Sequence, residues 1–150
     1  MKIRTTSRFR RLAVDPSGQS LVEFAMIAVL LILLVVGICE FGRVWNIYQV
    51  ITNAAREGAR LASLPTGFTT TSAVQAQVNA YLTTGGIDTS KSTVTIGDAG
   101  VDGGTGTRVS VTVSYPYQFL YVGPVVRLIN PSATAGADVT IQTQAVMRNE

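Results

Sequence analysis

The residue most at odds with its surroundings is Glu23. It lies near the start of an apolar run, Leu21–Cys39, that is interrupted only by Glu23 itself and a glycine. A carboxylate at mid-bilayer costs roughly 2.5–3.5 kcal/mol, and less near the interface. A chain that keeps one there has a use for it, either pairing with a cation or recruiting a partner. Immediately before the run stands Asp15-Pro16-Ser17-Gly18-Gln19-Ser20, where a basic leader gives way to small residues. Other reactive chemistry is sparse. The chain has no histidine, which excludes Ser-His-Asp and Cys-His nucleophile systems and the usual catalytic zinc sites. Its single cysteine, Cys39, cannot form an intrachain disulfide and reads as a small apolar residue, with acylation or intermolecular pairing as the alternatives. We therefore expect no catalytic residues, no cofactor and no metal site.

The elements that position Glu23 follow from charge and hydropathy. Residues 1–18 carry Lys2, Arg4, Arg8, Arg10 and Arg11 against Asp15, a net of +4, and the rest of the chain has a net of −1. The formal +3 of the whole is a property of the leader. No basic stripe interleaved with aromatics survives past residue 18, so nucleic acid is not an expected partner. Five cations ahead of an apolar span instead hold that end in the cytoplasm. At a rise of ~1.5 Å per residue, the 19 residues Leu21–Cys39 reach about 28 Å, close to the ~30 Å hydrocarbon core. The run is too long for a typical signal-peptide core, and no A-x-A site follows it. It is apolar all round, which argues against a buried helix of a soluble protein.

Beyond the run, Phe41, Val44, Tyr48, Ile51, Ala55, Ala59 and Ala62 recur in steps of three and four, which keeps one stripe along a helix. Pro65 is the first breaker, so the spacing predicts one helix of about 45 residues from near Ser20, some 65 Å long. Trp45 and Tyr48 stand where interfacial aromatics commonly sit. Past Pro65, Ser72 with Gln75 reads as a capping box for a second helix, whose apolar face is Val74, Val78, Tyr81 and Leu82. Strand-like runs follow at Ser92–Ile96, Thr107–Tyr115 and Ala137–Val146, with a broken helix or ordered loop across Phe119–Asn130. The stretch Gly97–Gly106 is neither a P-loop nor an EF-hand and reads as a hairpin loop, with weak calcium binding as the alternative. The expected fold class is α+β: a long N-terminal helix, transmembrane over about 21–39 and then projecting, followed by a small domain with one helix and about three antiparallel strands. By composition the chain divides into a leader (1–18), the long helix (19–64) and the exported domain (65–150).

The junction resembles the class III signal of type IV pilins and pseudopilins. That resemblance implies cleavage by a prepilin peptidase between Gly18 and Gln19, with Glu23 as the fifth mature residue and an aromatic, Phe24, as the sixth. It also implies a role for Glu23 in assembly: the new α-amine of one subunit neutralises Glu23 of a neighbour, since a buried charge is tolerable only when paired. The segment Ala54-Ala55-Arg56-Glu57-Gly58-Ala59-Arg60, some thirty residues after the glutamate, is similar to the TadE-like family of the tight-adherence (Flp pilus) system. The ending Gln144-Ala145-Val146-Met147-Arg148 is similar to it as well. In this segment Ala54/Gly58 and Ala55/Ala59 are small pairs four apart, which permits close approach of another backbone. Subunit contact and a solvated helix face both remain open readings of them. The family resemblance implies a minor pseudopilin in a bacterial inner membrane, N-terminus cytoplasmic and C-terminal domain exported. Its implied partners are the peptidase, the pilus assembly platform, other pilins and the lipid bilayer, with roles in adhesion and biofilm formation. The competing reading is an unprocessed bitopic protein that presents an envelope-facing binding domain.

Overall fold

Helix α1 runs without a break from Pro16 to Ala62 in the computed structural model, which describes residues 16–65, 67–98, 100–132 and 138–149. Residues 1–15 of the basic leader lie outside the described residues. The remaining elements are α2 (Thr71–Thr84), β1 (Thr93–Asp98), β2 (Arg108–Tyr117), α3 (Val122–Ile129) and β3 (Val139–Arg148). The long helix followed by a helix and three antiparallel strands is the α+β arrangement expected from the pattern. The chain divides into two units, residues 1–35 and 36–150.

In the first unit the large apolar side chains from Leu21 to Val35 are all exposed, between 38 and 70 % of their full area. No polar face interrupts them, and no part of the most apolar window of α1 is buried. Among the described residues, α1 is the one helix long and apolar enough to cross a membrane.

The second unit is built on the C-terminal half of α1. From Ile51 to Ala62, α1 supplies one wall of the core. The strands form a meander in the order β1-β2-β3, antiparallel throughout. The alternation in β2 turns Val109, Val111 and Val113 inward, all fully buried, against Ile51, Ala54, Ala55 and Ala59 of α1 and Val74, Val78 and Leu82 of α2. On β3 the odd positions Ile141, Ala145 and Met147 complete that face. Pro116 is tolerated in the central strand because β1 pairs with β2 only as far as Ser114, so no neighbour on that side needs its missing N–H.

Two local details differ from expectation. The N-cap of α2 is Thr70 rather than Ser72: Thr70 Oγ1 accepts from the Ala73 amide at 3.2 Å, which places Ser72 inside the first turn. The apolar stretch after β2 forms a single two-turn helix, α3, with Pro124 in the first turn, where its lost N–H had no helical partner anyway. At the other end of α2, Gly86 takes φ +76°. This lets the Ile87 amide reach Leu82 O at 2.9 Å and the Gly86 amide reach Thr83 O at 3.0 Å, closing the helix on a buried isoleucine.

Candidate assembly sites

Gly18, Gln19, Glu23 and Phe24 all lie in the first turns of α1 and are exposed. The Gln19 side-chain amide donates to Glu23 Oε1 at 3.0 Å, so residue 19 and the carboxylate occupy one face of the helix, a turn apart. No atom beyond the glycine's own neighbourhood lies within 4 Å of where a Cβ at Gly18 would be. Among the described residues, nothing packed against Gly18 requires its small size. The geometry offers an accessible peptide bond and, one turn on, an accessible carboxylate bordered by Leu21, Val22 and Phe24.

The segment Ala54–Arg60 behaves differently. Ala54, Ala55, Gly58 and Ala59 are buried, but against the chain's own elements. A Cβ built on Gly58 would lie 2.5 Å from Val78 Cγ2 and 3.2 Å from Val111 Cγ1, so the close approach predicted from the small pairs is made by α2 and β2. Of the two open readings, subunit contact and solvated face, neither describes the small-residue face itself, because α2 and β2 occupy it. What remains outward is Arg56, Glu57 and Arg60. Glu57 and Arg60 form an ion pair at 2.6 Å. The stripe read from the sequence is likewise split. Ile51, Ala55, Ala59 and Ala62 are core, whereas Phe41, Trp45 and Tyr48 are exposed and stack along the helix, with ring centroids 6.4 and 6.0 Å apart.

Glu40, the first residue after the apolar run, looks in the sequence like an ordinary acid bounding it. The structure leaves it only 2 % exposed. The Tyr117 hydroxyl donates to Oε1, the Leu120 amide donates to Oε1 at 3.1 Å, and the Tyr121 amide donates to Oε2 at 3.0 Å. Arg43, a turn along and half-exposed, approaches Oε1 at 3.9 Å and lies 6.0 Å from the centre of the Tyr117 ring. A carboxylate is acceptor-only, and here it meets a phenol, two amides and a guanidinium. Phe119 packs edge-on against Tyr117 at 5.2 Å between ring centroids. The cluster fastens the end of β2 and the start of α3 to α1. The one available signal was the extension of the inward phase of β2 from Val113 through Tyr115 to Tyr117.

The same contacts set the acidity of Tyr117. Burial first, then the hydrogen bond to Glu40 and the negative charge of that carboxylate, push its hydroxyl up from 10.0 to about 12, with Arg43 opposing. Because the folded value exceeds the unfolded one, this stabilisation is complete below pH 10 and is lost as pH rises towards 12. We expect ultraviolet difference titration to show a late-ionising tyrosinate, coincident with loss of the fold, that is absent in Tyr117→Phe.

The remaining candidates are quickly placed. Cys39 is exposed and free. The glycine-rich stretch joins β1 to β2. It is closed by Asn149, whose Nδ2 donates to Gly103 O at 2.9 Å and to Thr107 Oγ1 at 3.2 Å, while the Gly106 amide donates to Asn149 O at 2.8 Å. No cluster of three or more potential metal ligands occurs among the described residues.

No curated protein and no solved structure matches the chain. The stretch that carries the exposed Gly18–Phe24 site, the Glu40 anchor and the Ala54–Arg60 segment does match a known family: residues 18–60 fit the family model described as TadE-like protein.

Proposed function

We propose that the chain is a TadE-like minor pseudopilin of a tight-adherence pilus system, anchored once in the membrane by residues 21–39. The leader stays cytoplasmic, the folded unit is exported, and a prepilin peptidase cleaves between Gly18 and Gln19. Glu23 then guides docking into the assembly platform by pairing with the α-amine of a neighbouring subunit. The observation that supports this reading is where the family match begins: it starts at Gly18, the expected junction, and takes in Glu23 and Phe24 on the exposed first part of α1. The role is structural, and no reaction is assigned to the chain itself. A folded half beyond the helix favours a minor, priming or tip component over a major subunit, and abundance in sheared filaments separates those two.

The test is the N-terminal residue and intact mass of the protein isolated from membranes with and without its prepilin peptidase. A peptidase-dependent form starting at Gln19 is expected. Gly18→Leu should abolish that form, and Glu23→Ala should leave it intact while filament incorporation falls at least tenfold, roughly the effect of losing one charge-assisted contact. A chain that still begins at Met1 with the peptidase present would instead identify an unprocessed bitopic anchor.

A further inference from the structure

One group of uncovered apolar side chains in the folded unit lies on the segment that the Glu40 anchor holds and on the neighbouring part of α1. Leu120 and Tyr121 are 53 and 49 % exposed, Val122, Val125 and Val126 of α3 are half-buried, and Phe41, Trp45 and Tyr48 stand exposed on α1. The Glu40 anchor explains why Leu120 and Tyr121 are found there. Its two oxygens hold the amides of these residues at 3.1 and 3.0 Å, so their backbone cannot leave the height of Glu40 on α1. Glu40 immediately follows Cys39, and the last apolar residues, 36–39, belong to the same folded unit. Leu120 and Tyr121 are therefore held at the level of Glu40, the residue that directly follows the apolar run.

The charges near this surface suit phospholipid. Arg43 is half-exposed and Arg127 of α3 is exposed, while Glu40 is buried beneath its donors. The exposed acid nearby, Asp138, is engaged by the Gln118 side chain at 3.1 Å. Aromatic and aliphatic side chains with flanking arginines are the composition that lies in the interfacial layer, with rings at headgroup depth and guanidiniums on phosphates. Water would leave this apolar area unsatisfied, and no element of the chain among the described residues covers it.

We propose that Leu120, Tyr121 and the apolar side of α3 lie in the phospholipid headgroup layer, as a second, interfacial attachment that holds the folded unit down on the membrane beside α1. The inference rests on the reading of residues 21–39 as a membrane span, and the test separates the two. The full-length chain, with Trp45→Phe to remove the native tryptophan, is reconstituted in vesicles of phosphatidylcholine and phosphatidylglycerol carrying a nitroxide at a shallow or a deep acyl position. Single tryptophans are introduced as Leu31→Trp in the apolar run, Leu120→Trp, and Phe68→Trp. Phe68 is exposed and lies past the end of α1, which extends about 33 Å beyond Glu40.

Leu31→Trp should lose most of its fluorescence to the deep label and Leu120→Trp most of its fluorescence to the shallow one, while Phe68→Trp is unaffected by either. If Leu31→Trp is quenched but Leu120→Trp is not, the span stands and the interfacial attachment is overturned, leaving that surface to water or a neighbouring subunit. If Leu31→Trp is itself unquenched, the span fails and the attachment fails with it.

Discussion

Replacing Glu40 with leucine should destabilise the folded unit by about 3 kcal/mol or more, although it exchanges a buried acid for an apolar residue of similar size. Such a change is neutral when all polar groups leave together. Here the Tyr117 hydroxyl, which is buried, and the amides of Leu120 and Tyr121, which are part-buried, stay behind, and an unsatisfied buried donor costs roughly 1–3 kcal/mol. Against a typical domain stability of about 5–15 kcal/mol, that loss is large. Glu40→Gln keeps one acceptor oxygen in place and should lose about half as much. Adding Tyr117→Phe to Glu40→Leu removes one stranded donor, so the double variant should be less destabilised than the two single effects added together. Chemical denaturation of the full chain in detergent micelles measures all four proteins. A Glu40→Leu protein with an unchanged midpoint would mean that the four-donor cluster contributes nothing to the fold.

Gly58→Leu should be comparably damaging, for the opposite reason. The Cβ alone would come within 2.5 Å of Val78 Cγ2 and 3.2 Å of Val111 Cγ1, before any further atoms are added. Val78 and Val111 are fully buried branched side chains in the centre of the core and have no open space to turn into. Overpacking of this kind costs typically about 1–3 kcal/mol, and a leucine here belongs at or above the top of that range. Gly58→Ala sets the same clash against a helix-propensity gain of about 1 kcal/mol, so it should be destabilising by less. The contrast to measure is with Gly42→Ala, where no atom lies within 4 Å of the new methyl group and the propensity gain should appear as a net stabilisation. Equal effects at the two positions would mean that α1 does not press on α2 and β2 as described.

These two residues also show where sequence reasoning stopped. The small-residue spacing around Gly58 indicates a close approach, and the structure fills it with the side chains of Val78, Val111 and Val74. Local spacing gives no direction, however, and the approaching elements belong to the same chain rather than to a second subunit. Glu40 was passed over because an acid directly after an apolar run is ordinary in a sequence. Its burial depends on Tyr117, 77 residues away, and on the amides of Leu120 and Tyr121 beyond it. Strand limits were legible to within about two residues because alternation is local. The cap of α2 was misplaced by two residues because both Thr70 and Ser72 can donate or accept at a helix start, and only the backbone path through Thr70 selects between them.

By itself, then, the sequence determined what depends on neighbours along the chain. These are the uninterrupted helix that ends before Pro65, its all-round apolar first part, the Gly18–Glu23–Phe24 spacing, and the alternating valines of β2. Each of these is a periodicity or a short-range steric rule, readable without knowing what packs against it. The tertiary structure alone decided that half of the long helix is core, that the small-residue face is closed by α2 and β2, and that Glu40 ties α3 to the foot of the folded unit. Those outcomes rest on contacts between residues as far apart as Thr52 and Thr143, whose hydroxyls meet at 3.4 Å across 91 positions. Pairings at that separation leave no pattern in the residues between them, because their energy comes from desolvation and donor–acceptor matching that exist only once the chain has folded.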